Sequence, residues 1–474
     1  MILSWQRFKN TLYALQSFEY DTKDFLHWTK THPNLKNIAH KKRLHWTPKI
    51  IALAGGWFVL HATCYMLCVF WFGWHWALGY LLLVALTQRW ILPYVLVFFL
   101  WLIFPFDALA KRWIVARARR KIRKFKNLKV VGITGSYGKT STKEFAYNLL
   151  QGSFRVAKTP ENQNTLIGVA RTIIRHLTSD TQLLIVEMGA YQPGDIAAIC
   201  ELVRPSIGVI TGINEQHRER FGSIEKTLAT KTELWRALPT DGVAIFNDDT
   251  RFIKELRSRL PSHVRHISYG TTTGAKIQAL HVEADENGLK FDVRVYDRPL
   301  QWQTKILGPH QALNILAAAC LAHVLGVEWE VIRDRVANLE PVPHRFSPIR
   351  GAGGVLVIDD TYNSNPDGAK EALKTLATFS NPRKILVTQG LVELGEISDQ
   401  VHEEIGNLAA SVLTTAILVG PLVSGIAKGL RAAGFPENQL YQVKSLDEAT
   451  ALLPKVAKAG DVVLFQNDLP DVYG

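Results

Sequence analysis

The amino-acid sequence predicts an α/β protein: two domains built on parallel sheets, preceded by an α-helical transmembrane segment. Three observations support this prediction. Short β-branched runs alternate with helical patterns through most of the chain, which is typical of parallel sheets with crossover helices. A glycine-rich turn follows the first of these runs. The front of the chain contains a long stretch without charged side chains, as membrane helices require.

The positive charge of the chain is concentrated at its front. The 474 residues have a formal net charge of +13. Residues 1–129 contain 20 Lys and Arg against four Asp and Glu, a net charge of +16, whereas the rest has 35 against 38, a net charge of −3. Ten of the 13 Trp lie in the same segment, and indole side chains favour the boundary between bilayer and water. This combination indicates anionic membrane lipids as partners and argues against nucleic acid.

Residues 50–88 contain no Asp, Glu, Lys or Arg, which is long enough for two helices at about 20 residues per crossing. A shorter apolar stretch at residues 90–106 contains Pro93 and Pro105. It could be a full span, a re-entrant segment or an interfacial helix. Because both flanks are basic, we expect an even number of crossings, preferably two, with both flanks in the cytoplasm. The first residues lack the pattern of a cleavable signal, so we expect the segment to be retained.

The sequence predicts four regions. They are a membrane-anchoring region with about two transmembrane helices at residues 1–110, a basic juxtamembrane linker at 111–128, a central nucleotide-binding domain at 129–342 and a C-terminal domain at 343–474. The basic linker is interpreted as a helix attracted to anionic headgroups, each cation contributing on the order of 1 kcal/mol. A solvated linker is the alternative. Three prolines and several glycines around residue 345 predict the joint between the last two domains.

Seven apolar runs after the glycine-rich turn predict buried strands. They lie at residues 183–186, 207–211, 243–246, 355–358, 385–387, 416–419 and 462–465. Residues 263–307 instead alternate apolar and polar side chains between turn residues, which predicts a small antiparallel excursion. The four cysteines form no CxxC pair and are expected to be buried, reduced thiols.

The glycine-rich turn GITGSYGKT predicts a phosphate-binding loop. Backbone N–H groups of such a turn can surround phosphate oxygens, the following helix adds partial positive charge, Lys139 can reach the terminal phosphates, and Thr140 can bind Mg²⁺. The spacing departs from GxxxxGK[ST], because Ile133 stands where that pattern has glycine. A chance glycine-rich turn is the alternative. The predicted nucleotide-binding residues are Gly135, Ser136, Gly138, Lys139, Thr140 and Ser141.

The loop TGSYGKTSTK resembles the ATP loop of the Mur ligases, and six further segments match that family in order. They are TPENQNTLIG, VEMGAYQPGDIAAI, INEQHRERFGSIEKTLATKTEL, GPHQALNILAAA, IDDTYNSNPDGAKEAL and LVELGEIS. The likeness runs from about residue 128 to the C-terminus and is greatest with the MurF-type subgroup, which adds D-alanyl-D-alanine to UDP-MurNAc-tripeptide. It implies a P-loop-containing Mur ligase central domain, a Rossmann-like Mur ligase C-terminal domain and an ATP- and Mg²⁺-dependent ligase that works through an acyl phosphate.

The resemblance also implies the metal ligands. Glu187 and His217 match family positions that bind Mg²⁺, and Thr140 belongs to the loop. Lys231 falls where many Mur ligases carry a lysine carbamylated by CO₂, an anion that can bind Mg²⁺. From the residues alone, Glu187 could be an ordinary surface or paired carboxylate, His217 a structural histidine and Lys231 an exposed helix lysine. The implied catalytic residues are Lys139, His217, Lys231 and Arg345.

Four residues are similar to the family's remaining nucleotide contacts. His310 and Asn314 match the adenine-side motif, although Asn314 could instead cap the start of a helix. Arg345 resembles the arginine that reaches the ATP phosphates from the domain joint, but His344 stands where the family has glycine. Asp360 belongs to the motif DDTYNSNP, which could also be an ordinary polar loop after a strand.

The implied substrate contacts lie in two loops. One is the asparagine loop near the growing substrate, and the other is the motif that separates this subgroup from its relatives. Their residues are Asn162, Asn164, Tyr362, Asn363 and Asn365.

Two departures from the family limit the substrate prediction. Subgroup members normally begin with a small domain that grips the UDP end of the precursor, and we expect the membrane segment to take its place. The family's Lys-Gly-Ser-Arg stretch is replaced by FQNDLP at residues 465–470, which removes two cations. We therefore expect the protein to join an amino acid or dipeptide to a UDP- or lipid-linked peptidoglycan precursor, with the catalytic domains on the cytoplasmic side of a bacterial cell membrane.

Three alternatives to this function remain. A ligase for a different acidic acceptor, of the folylpolyglutamate or cyanophycin type, is disfavoured by DDTYNSNP and EMGAYQPGDIAAI. A catalytically altered ATP-binding scaffold of cell-wall synthesis would bind ATP without amine-dependent phosphate release. An energy-transducing transporter is disfavoured because the apolar spans contain no acidic residue.

Overall fold

The computed structural model describes residues 5–32, 44–161, 163–214, 223–295, 298–362, 365–381, 383–392 and 394–467. The chain divides into two compact units, one formed by the described residues up to Arg112 and the other beginning at Trp113.

The first unit is helical. Its helices are α1 (Trp5–Ser17), α2 (Thr22–Thr31), α3 (Pro48–Phe72) and α4 (Trp74–Ile122), the last of which continues into the second unit. Thr47 caps α3 by accepting a hydrogen bond from Ile50 N at 3.3 Å, and Pro48 occupies the first turn, where its missing N–H costs nothing. Among the described residues, α3 and α4 are the two helices long and apolar enough to cross a membrane.

The apolar stretch at residues 90–106 lies within α4 and is not a separate element. Pro93 and Pro105 are inside this helix of 49 residues, so a re-entrant segment is wrong. At 1.5 Å per residue the helix is about 74 Å long, more than twice the roughly 30 Å hydrocarbon core of a bilayer. The helix also passes through residue 110, and its residues 111–122 are part of the predicted linker.

One apolar cluster holds the first unit together. Phe8 and Leu12 of α1 pack with Trp57 of α3 and with Leu92 and Leu96 of α4. The opposite faces of α3 and α4 expose large apolar side chains; Phe70 is 79% exposed and Trp101 is 72% exposed. These faces cannot be stabilised by water, because exposed apolar area costs free energy there.

The second unit contains two sheets. The strands of the first are β1 (Lys129–Thr134), β2 (Val156–Lys158), β3 (Leu183–Glu187), β4 (Ile207–Ile210), β5 (Val243–Asn247), β6 (Arg265–Gly270), β7 (Ile277–Asp285), β8 (Gly288–Val295) and β9 (Arg298–Thr304). Their order is β2-β3-β1-β4-β5-β6-β7-β8-β9. The helices that alternate with them are α5 (Lys139–Leu150), α6 (Leu166–His176), α7 (Asp195–Val203), α8 (Ile224–Lys231), α9 (Glu233–Arg236), α10 (Ile253–Arg257), α11 (His310–Val324) and α12 (Trp329–Val336).

The predicted antiparallel excursion is only partly correct. Strand β6 pairs parallel with β5, and β7 pairs parallel with β6. The antiparallel pairs are β7 with β8 and β8 with β9. The parallel part of the sheet therefore extends two strands further than the sequence pattern suggested.

The second sheet lies after the predicted joint. Its strands are β10 (Ser347–Arg350), β11 (Leu356–Asp360), β12 (Lys384–Thr388), β13 (Thr415–Val419), β14 (Leu440–Val443) and β15 (Val462–Gln466), in the order β10-β11-β15-β12-β13-β14. All pairs are parallel except β10 with β11. The accompanying helices are α13 (Pro366–Ala377), α14 (Ser398–Ala410), α15 (Ser424–Ala432) and α16 (Leu446–Val456). The seven predicted strands are thus confirmed.

Apolar layers cover both faces of the first sheet. Ile133 and Phe145 belong to a cluster on the side of α5 and α11, whereas Val130 and Ile196 belong to a cluster on the side of α6 and α7. Each such fully buried aliphatic or aromatic side chain contributes roughly 1.5–3 kcal/mol. The last turns of α4 join the second cluster through Ala118, which is fully buried.

Candidate functional site

Three neighbouring strands bring the candidate site residues together. Strand β1 lies between β3 and β4, and Ile133 of β1 pairs with both Glu187 of β3 and Val209 of β4. All three strands are parallel, so their carboxyl ends meet at one edge of the sheet. In open α/β sheets, ligands bind at such an edge where neighbouring connections diverge.

The glycine-rich turn links β1 to α5. Gly138 has φ of 76° and directly precedes α5, where no side chain caps the helix. A Cβ at this position would meet the amide oxygen of Asn314. The position therefore needs glycine both for its backbone conformation and for the space. It leaves the N–H groups of the first turn of α5 open toward an anion.

The loop is held in place by the residues that follow β4. Ser136 N donates to Gly212 O at 2.8 Å. The Thr211 hydroxyl contacts the carbonyls of Thr134, at 3.3 Å, and Tyr137. These contacts form the cradle before any ligand is present, which lowers the conformational entropy that a ligand would have to order.

Lys139, at the start of α5, folds back over the loop. Its Nζ donates to the carbonyls of Gly135 at 2.7 Å and Ser136 at 3.2 Å. Burial lowers the pKa of Lys139, and the negative charge of Glu187 opposes this effect. Next to it, Thr140 is half-buried and Ser141 is buried. The predicted loop residues thus occupy one turn of chain around the start of α5.

Glu187 ends β3 and is buried. Its Oε1 accepts a hydrogen bond from Asn164 Nδ2 at 3.0 Å, and its backbone N donates to Thr159 Oγ1 at 3.0 Å. Its Oε2 lies 3.2 Å from Lys143 Nζ, close enough for an ion pair. This contact does not have the geometry of a hydrogen bond, and Oε2 has no hydrogen-bond partner among the described residues. Glu187 is therefore an ion-paired carboxylate whose Oε2 can still accept a hydrogen bond.

Lys143 is the site residue that the sequence interpretation missed. It lies on α5 one turn after Lys139, and its side chain has no solvent exposure. A lysine four residues after Lys139 faces the same side of a helix, and this spacing was the available signal. Its partners come from the loop after β2 and from β3, which the spacing does not reveal.

Lys231 is buried at the end of α8, so an exposed helix lysine is wrong. Burial, with a smaller effect from the charge of Lys139, lowers its pKa to about 7, while Glu233 and Asp195 act in the opposite direction. The carboxylate of Glu233 accepts hydrogen bonds from two backbone N–H groups at the start of α7, at 2.8 and 2.9 Å. The Lys231 amine can therefore be neutral near pH 7.

His310 and Asn314 lie on α11. Asn314 is inside this helix, which begins at His310, so a helix-start cap is wrong. Asn314 Nδ2 donates to Gln311 Oε1 at 2.9 Å, and its Oδ1 accepts from Thr142 at 3.4 Å. Burial lowers the pKa of His310, and its Nδ1 has no partner among the described residues. Both side chains are neutral and border the start of α5.

Arg345 and Tyr362 form a pair near the joint. The Arg345 guanidinium donates to Tyr362 O at 2.8 Å and lies over the Tyr362 ring at 4.4 Å. Burial lowers the pKa of Arg345, while the negative charges of Asp360 and Glu187 raise it. The positive charge of Arg345 in turn lowers the pKa of Lys139, after the larger effect of burial.

Asp360, at the end of β11, is a half-buried carboxylate. Burial raises its pKa to about 7, whereas Arg345 and the backbone N–H of Phe346 oppose the shift. Phe346 N donates to Asp360 Oδ1 at 3.2 Å. The motif is therefore more than a solvated polar loop, because its second side chain, Asp360, accepts a hydrogen bond from the backbone of the joint.

His344 has a backbone conformation that glycine adopts more easily. Its φ is 62°, in the left-handed region that favours glycine. Its Nδ1 lies 2.7 Å from Asp359 Oδ2. This contact stabilises the strained residue directly before Arg345.

The remaining predicted residues have different outcomes. The Asn365 side chain caps α13 by accepting from Gly368 N at 2.9 Å. Asn162, His217 and Asn363 lie outside the described residues. Of the segment that replaces Lys-Gly-Ser-Arg, Asn467 donates to Gly390 O at 2.6 Å and thus stabilises the C-terminal domain.

The residues present fit a magnesium nucleotide. Within the described part of the chain, no three His, Cys, Asp or Glu side chains gather as a metal site. Magnesium does not require such a cage, since it commonly binds one or two carboxylates and takes its other ligands from waters and phosphates. The buried Oε2 of Glu187 supplies such a carboxylate oxygen. The glycine loop, which has no room for a Cβ at Gly138, supplies the place for the phosphates.

Comparison with known families and structures agrees with this geometry. Residues 133–322 match the Mur ligase middle domain, and residues 344–466 match the Mur ligase, glutamate ligase domain. A MurF ligase from Thermotoga maritima, solved in complex with ADP, is similar over 76% of this chain and 81% of that chain, with 28% identity and a TM-score of 0.65. MurF from Acinetobacter baumannii, at 24% identity, has the same fold over 76% of this chain and 78% of that chain, with a TM-score of 0.68.

A curated relative is similar over more than two thirds of its length. The UDP-N-acetylmuramoyl-tripeptide–D-alanyl-D-alanine ligase of Mycobacterium bovis is 32% identical over 358 residues, which cover 71% of this chain and 70% of the relative. Mur ligases use ATP and Mg²⁺. Both domains match in order, and the glycine loop and Glu187 meet at one edge of the first sheet. The chain therefore belongs to the Mur ligase family and is an ATP-dependent ligase.

Proposed function

We propose that the protein is a membrane-anchored ligase that adds D-Ala-D-Ala, or a similar amino acid or dipeptide, to a peptidoglycan precursor peptide. The observation that carries this proposal is geometric: the glycine loop with Lys139 follows β1, and the buried Glu187 ends the neighbouring strand β3 at the same edge of the sheet. The curated relatives are named as ligases of D-alanyl-D-alanine and UDP-N-acetylmuramoyl-tripeptide, which supports the same substrates here.

The glycine loop and α11 would hold ATP. The backbone N–H groups of the loop and of the first turn of α5 suit the phosphates. Lys139 and Arg345 lie where they would neutralise the charge of the transferring phosphoryl group. Asn314, which can donate and accept together, suits a purine edge, with His310 beside it. Asp360 would contact the nucleotide from the C-terminal domain.

Thr140, Glu187, His217 and a carbamylated Lys231 would hold Mg²⁺. Bound there, the ion supplies positive charge to the phosphate oxygens. Carbamylation requires a neutral amine. With a pKa of about 7, roughly half of Lys231 is neutral at pH 7, compared with about one molecule in 3,000 at the ordinary value. The buried position of Lys231 would also protect the carbamate from water.

The proposed reaction has two steps. An oxygen of the precursor carboxylate attacks the γ-phosphorus of ATP, and the bond to the β-phosphate oxygen breaks to release ADP. The amine nitrogen then attacks the acyl carbon, phosphate leaves, and the nitrogen loses a proton. Water must be kept from the acyl phosphate. Asn214 Nδ2 of the central domain donates to Asp367 of the C-terminal domain at 3.0 Å. We propose that this contact helps to hold the two domains closed around the acyl phosphate.

We also propose which residues contact the precursor and the incoming amine. Asn164 contacts Glu187 directly, so it could position the metal-binding carboxylate while its loop meets the precursor. Tyr362 is 40% exposed beside Arg345 and is open to a ligand. We propose contacts from Asn162, Asn363 and Asn365 as well, with the Asn365 oxygen already engaged in capping α13.

We propose that residues 1–110 anchor the protein, that 111–128 join the anchor to the domains, and that the two domains at 129–342 and 343–474 work in the cytoplasm. The exposed apolar faces of α3 and α4 support a lipid environment. So does a cavity of about 330 Å³ beside α4, because Arg123, Lys126 and Arg204 line it and suit anionic headgroups. An anchor of this kind supports a lipid-linked as well as a UDP-linked precursor.

The test is phosphate release by the purified full-length protein. We expect release only with ATP, Mg²⁺, UDP-MurNAc-tripeptide or its lipid-linked form, and D-Ala-D-Ala together. ATP binding without amine-dependent phosphate release would favour the scaffold alternative. Efficient turnover of the UDP-linked compound, with none of the lipid-linked one, would refute a membrane-bound substrate and leave the ligase proposal intact.

A further inference from the structure

Lys143 is a buried cation with three oxygen partners. Its Nζ lies 3.2 Å from Glu187 Oε2 and 3.3 Å from Glu144 Oε1, and it donates to the backbone carbonyl of Glu161 at 2.9 Å. The Lys143 side chain has no solvent exposure and that of Glu187 is 2% exposed. Two opposite charges are therefore buried side by side at the proposed metal site.

Such a pair is held together by the cost of separating it. A buried charge that loses its partner strongly destabilises a protein, because neither water nor a counter-ion then compensates it. In the absence of metal, Lys143 is the cation within ion-pair distance of Glu187 Oε2. It therefore holds the carboxylate in the site.

The third contact of Lys143 reaches the asparagine loop. Glu161 has φ of 35°, in a region that non-glycine residues rarely adopt and that stores strain. The Lys143 hydrogen bond is made to the carbonyl of this residue. The same loop continues to Asn164, which donates to the other oxygen of Glu187. Lys143 and Asn164 thus hold the carboxylate from two sides.

We propose that Lys143 is a positioning residue that holds the metal-binding carboxylate Glu187 and the asparagine loop in place before Mg²⁺ arrives. The inference rests on the proposed role of Glu187 as a metal ligand. It assigns Lys143 no contact with substrate. Mg²⁺ and Lys143 are then alternative sources of positive charge for Glu187, and loss of Lys143 makes the folded site depend on the ion.

The chain offers a matched control at the outer end of the same network. Lys158 is ion-paired with Glu144, which also contacts Lys143. Lys158 has 27% exposed side chain and lies above the Tyr147 ring at 4.1 Å. Lys158→Met therefore removes a lysine from the network without removing the cation beside Glu187.

The experiment measures thermal unfolding of the full-length protein in detergent, with and without millimolar Mg²⁺ and without nucleotide. We expect Lys143→Met to lower Tm by on the order of 10 °C. Mg²⁺ should restore a large part of that loss, whereas it should hardly change the Tm of the parent or of Lys158→Met. Adding Glu187→Gln to Lys143→Met should also restore most of the loss, because neither buried charge is then unpaired.

Two results would overturn the proposal. One is a Lys143→Met loss that Mg²⁺ does not restore, and the other is a loss that Glu187→Gln does not relieve. Either would mean that Lys143 only fills space. If Lys143→Met does not fold, the double variant with Lys143→Met and Glu187→Gln is made first. The proposal then requires that the double variant folds. No substrate enters the measurement, so its failure is distinct from a failure of the proposed ligase activity.

Discussion

Burial sets the protonation of three side chains around the candidate site. For Lys231, Asp360 and His310 the largest effect on the pKa is the loss of water, and it favours the neutral form in each case. Nearby charges oppose it only in part. Groups with pKa values moved toward neutrality are frequent at catalytic sites, and here two of them lie near pH 7.

Lys231 should carry a carbamate when the protein is kept in bicarbonate. The reason is the neutral fraction of its amine near pH 7. A carbamate signal is expected in ¹³C NMR spectra after incubation with labelled bicarbonate. Lys231→Ala should lose that signal and at least roughly 100-fold in activity, as for loss of a metal-binding group.

The matched control for this prediction is Lys226, an exposed lysine on the same helix. Lys226→Ala should keep both the NMR signal and the activity. A signal that survives in Lys231→Ala would place the carbamate on another lysine, and full activity of that variant would exclude a role for Lys231 in catalysis.

Asp360 should make the protein less stable as pH rises. Its pKa is raised to about 7 in the folded protein, compared with about 3.9 in an unfolded chain. Between these values the folded state binds more protons, so stability is fully present below about pH 4 and falls as pH approaches and passes 7. Asp360→Asn removes the titration. Its Tm relative to the parent should therefore rise from pH 5 to pH 8, when measured by calorimetry.

The exposed carboxylate Asp241 provides the comparison for Asp360. Asp241→Asn should show no such rise between pH 5 and pH 8. A constant difference between Asp360→Asn and the parent across that range would contradict the raised pKa.

At the residue scale, what the sequence predicts depends on how far apart the partners are. The loop residues are contiguous, so the pattern around Lys139 predicts their common role. The partners of Lys143 are not contiguous with it: Glu161 and Glu187 approach it only through the fold. The left-handed His344 was equally hidden, because a histidine gives no signal of a glycine-like conformation.

At the scale of single elements, apolar runs predict central strands better than edge strands. β2 and β14 have three and four residues and partly exposed positions, so neither forms an apolar run. β6 was assigned the wrong direction because alternation reports which face is buried and not which neighbour pairs with the strand. Its parallel pairing with β5 depends on the connection through α10.

The start of α5 should tolerate no side chain at Gly138. Alanine at positive φ costs about 1–2 kcal/mol, and its Cβ would also push against Asn314. We expect Gly138→Ala to weaken binding of a fluorescent ADP by at least about tenfold, because both the loop and the proposed adenine contact would move. Fluorescence titration measures this directly.

A control variant at Gly194 distinguishes the effect of backbone strain from that of the contact with Asn314. It precedes α7 with φ of 93°, and a Cβ there would meet nothing within 4 Å. Gly194→Ala should therefore lower Tm and leave ADP affinity near that of the parent. Equal losses of affinity in the two variants would show that strain alone explains the effect.

At the scale of the whole molecule, the question is what covers the exposed apolar faces of the first unit. The helices α3 and α4 have lengths of 25 and 49 residues and expose aromatic side chains along much of their surface. Lipid would remove this area from water, and basic residues occur on both flanks of the apolar stretch. Composition predicted long apolar helices here, but it could not predict that residues 90–106 continue α4 without a break.

The proposed topology, with two membrane crossings and both flanks in the cytoplasm, predicts which positions an impermeant maleimide can label. Trp74 lies at the start of α4, directly after the turn between the two helices, and Lys126 lies after the end of α4. Cysteine would be placed at each position in a protein with Cys64→Ala and Cys68→Ala. In intact spheroplasts, an impermeant maleimide should label Trp74→Cys and leave Lys126→Cys unlabelled until lysis, because positively charged flanks stay in the cytoplasm. Labelling of Lys126→Cys before lysis would contradict a cytoplasmic catalytic unit. Protection of Trp74→Cys until lysis would contradict the two crossings, and the exposed apolar faces of α3 and α4 would then need a protein partner to cover them.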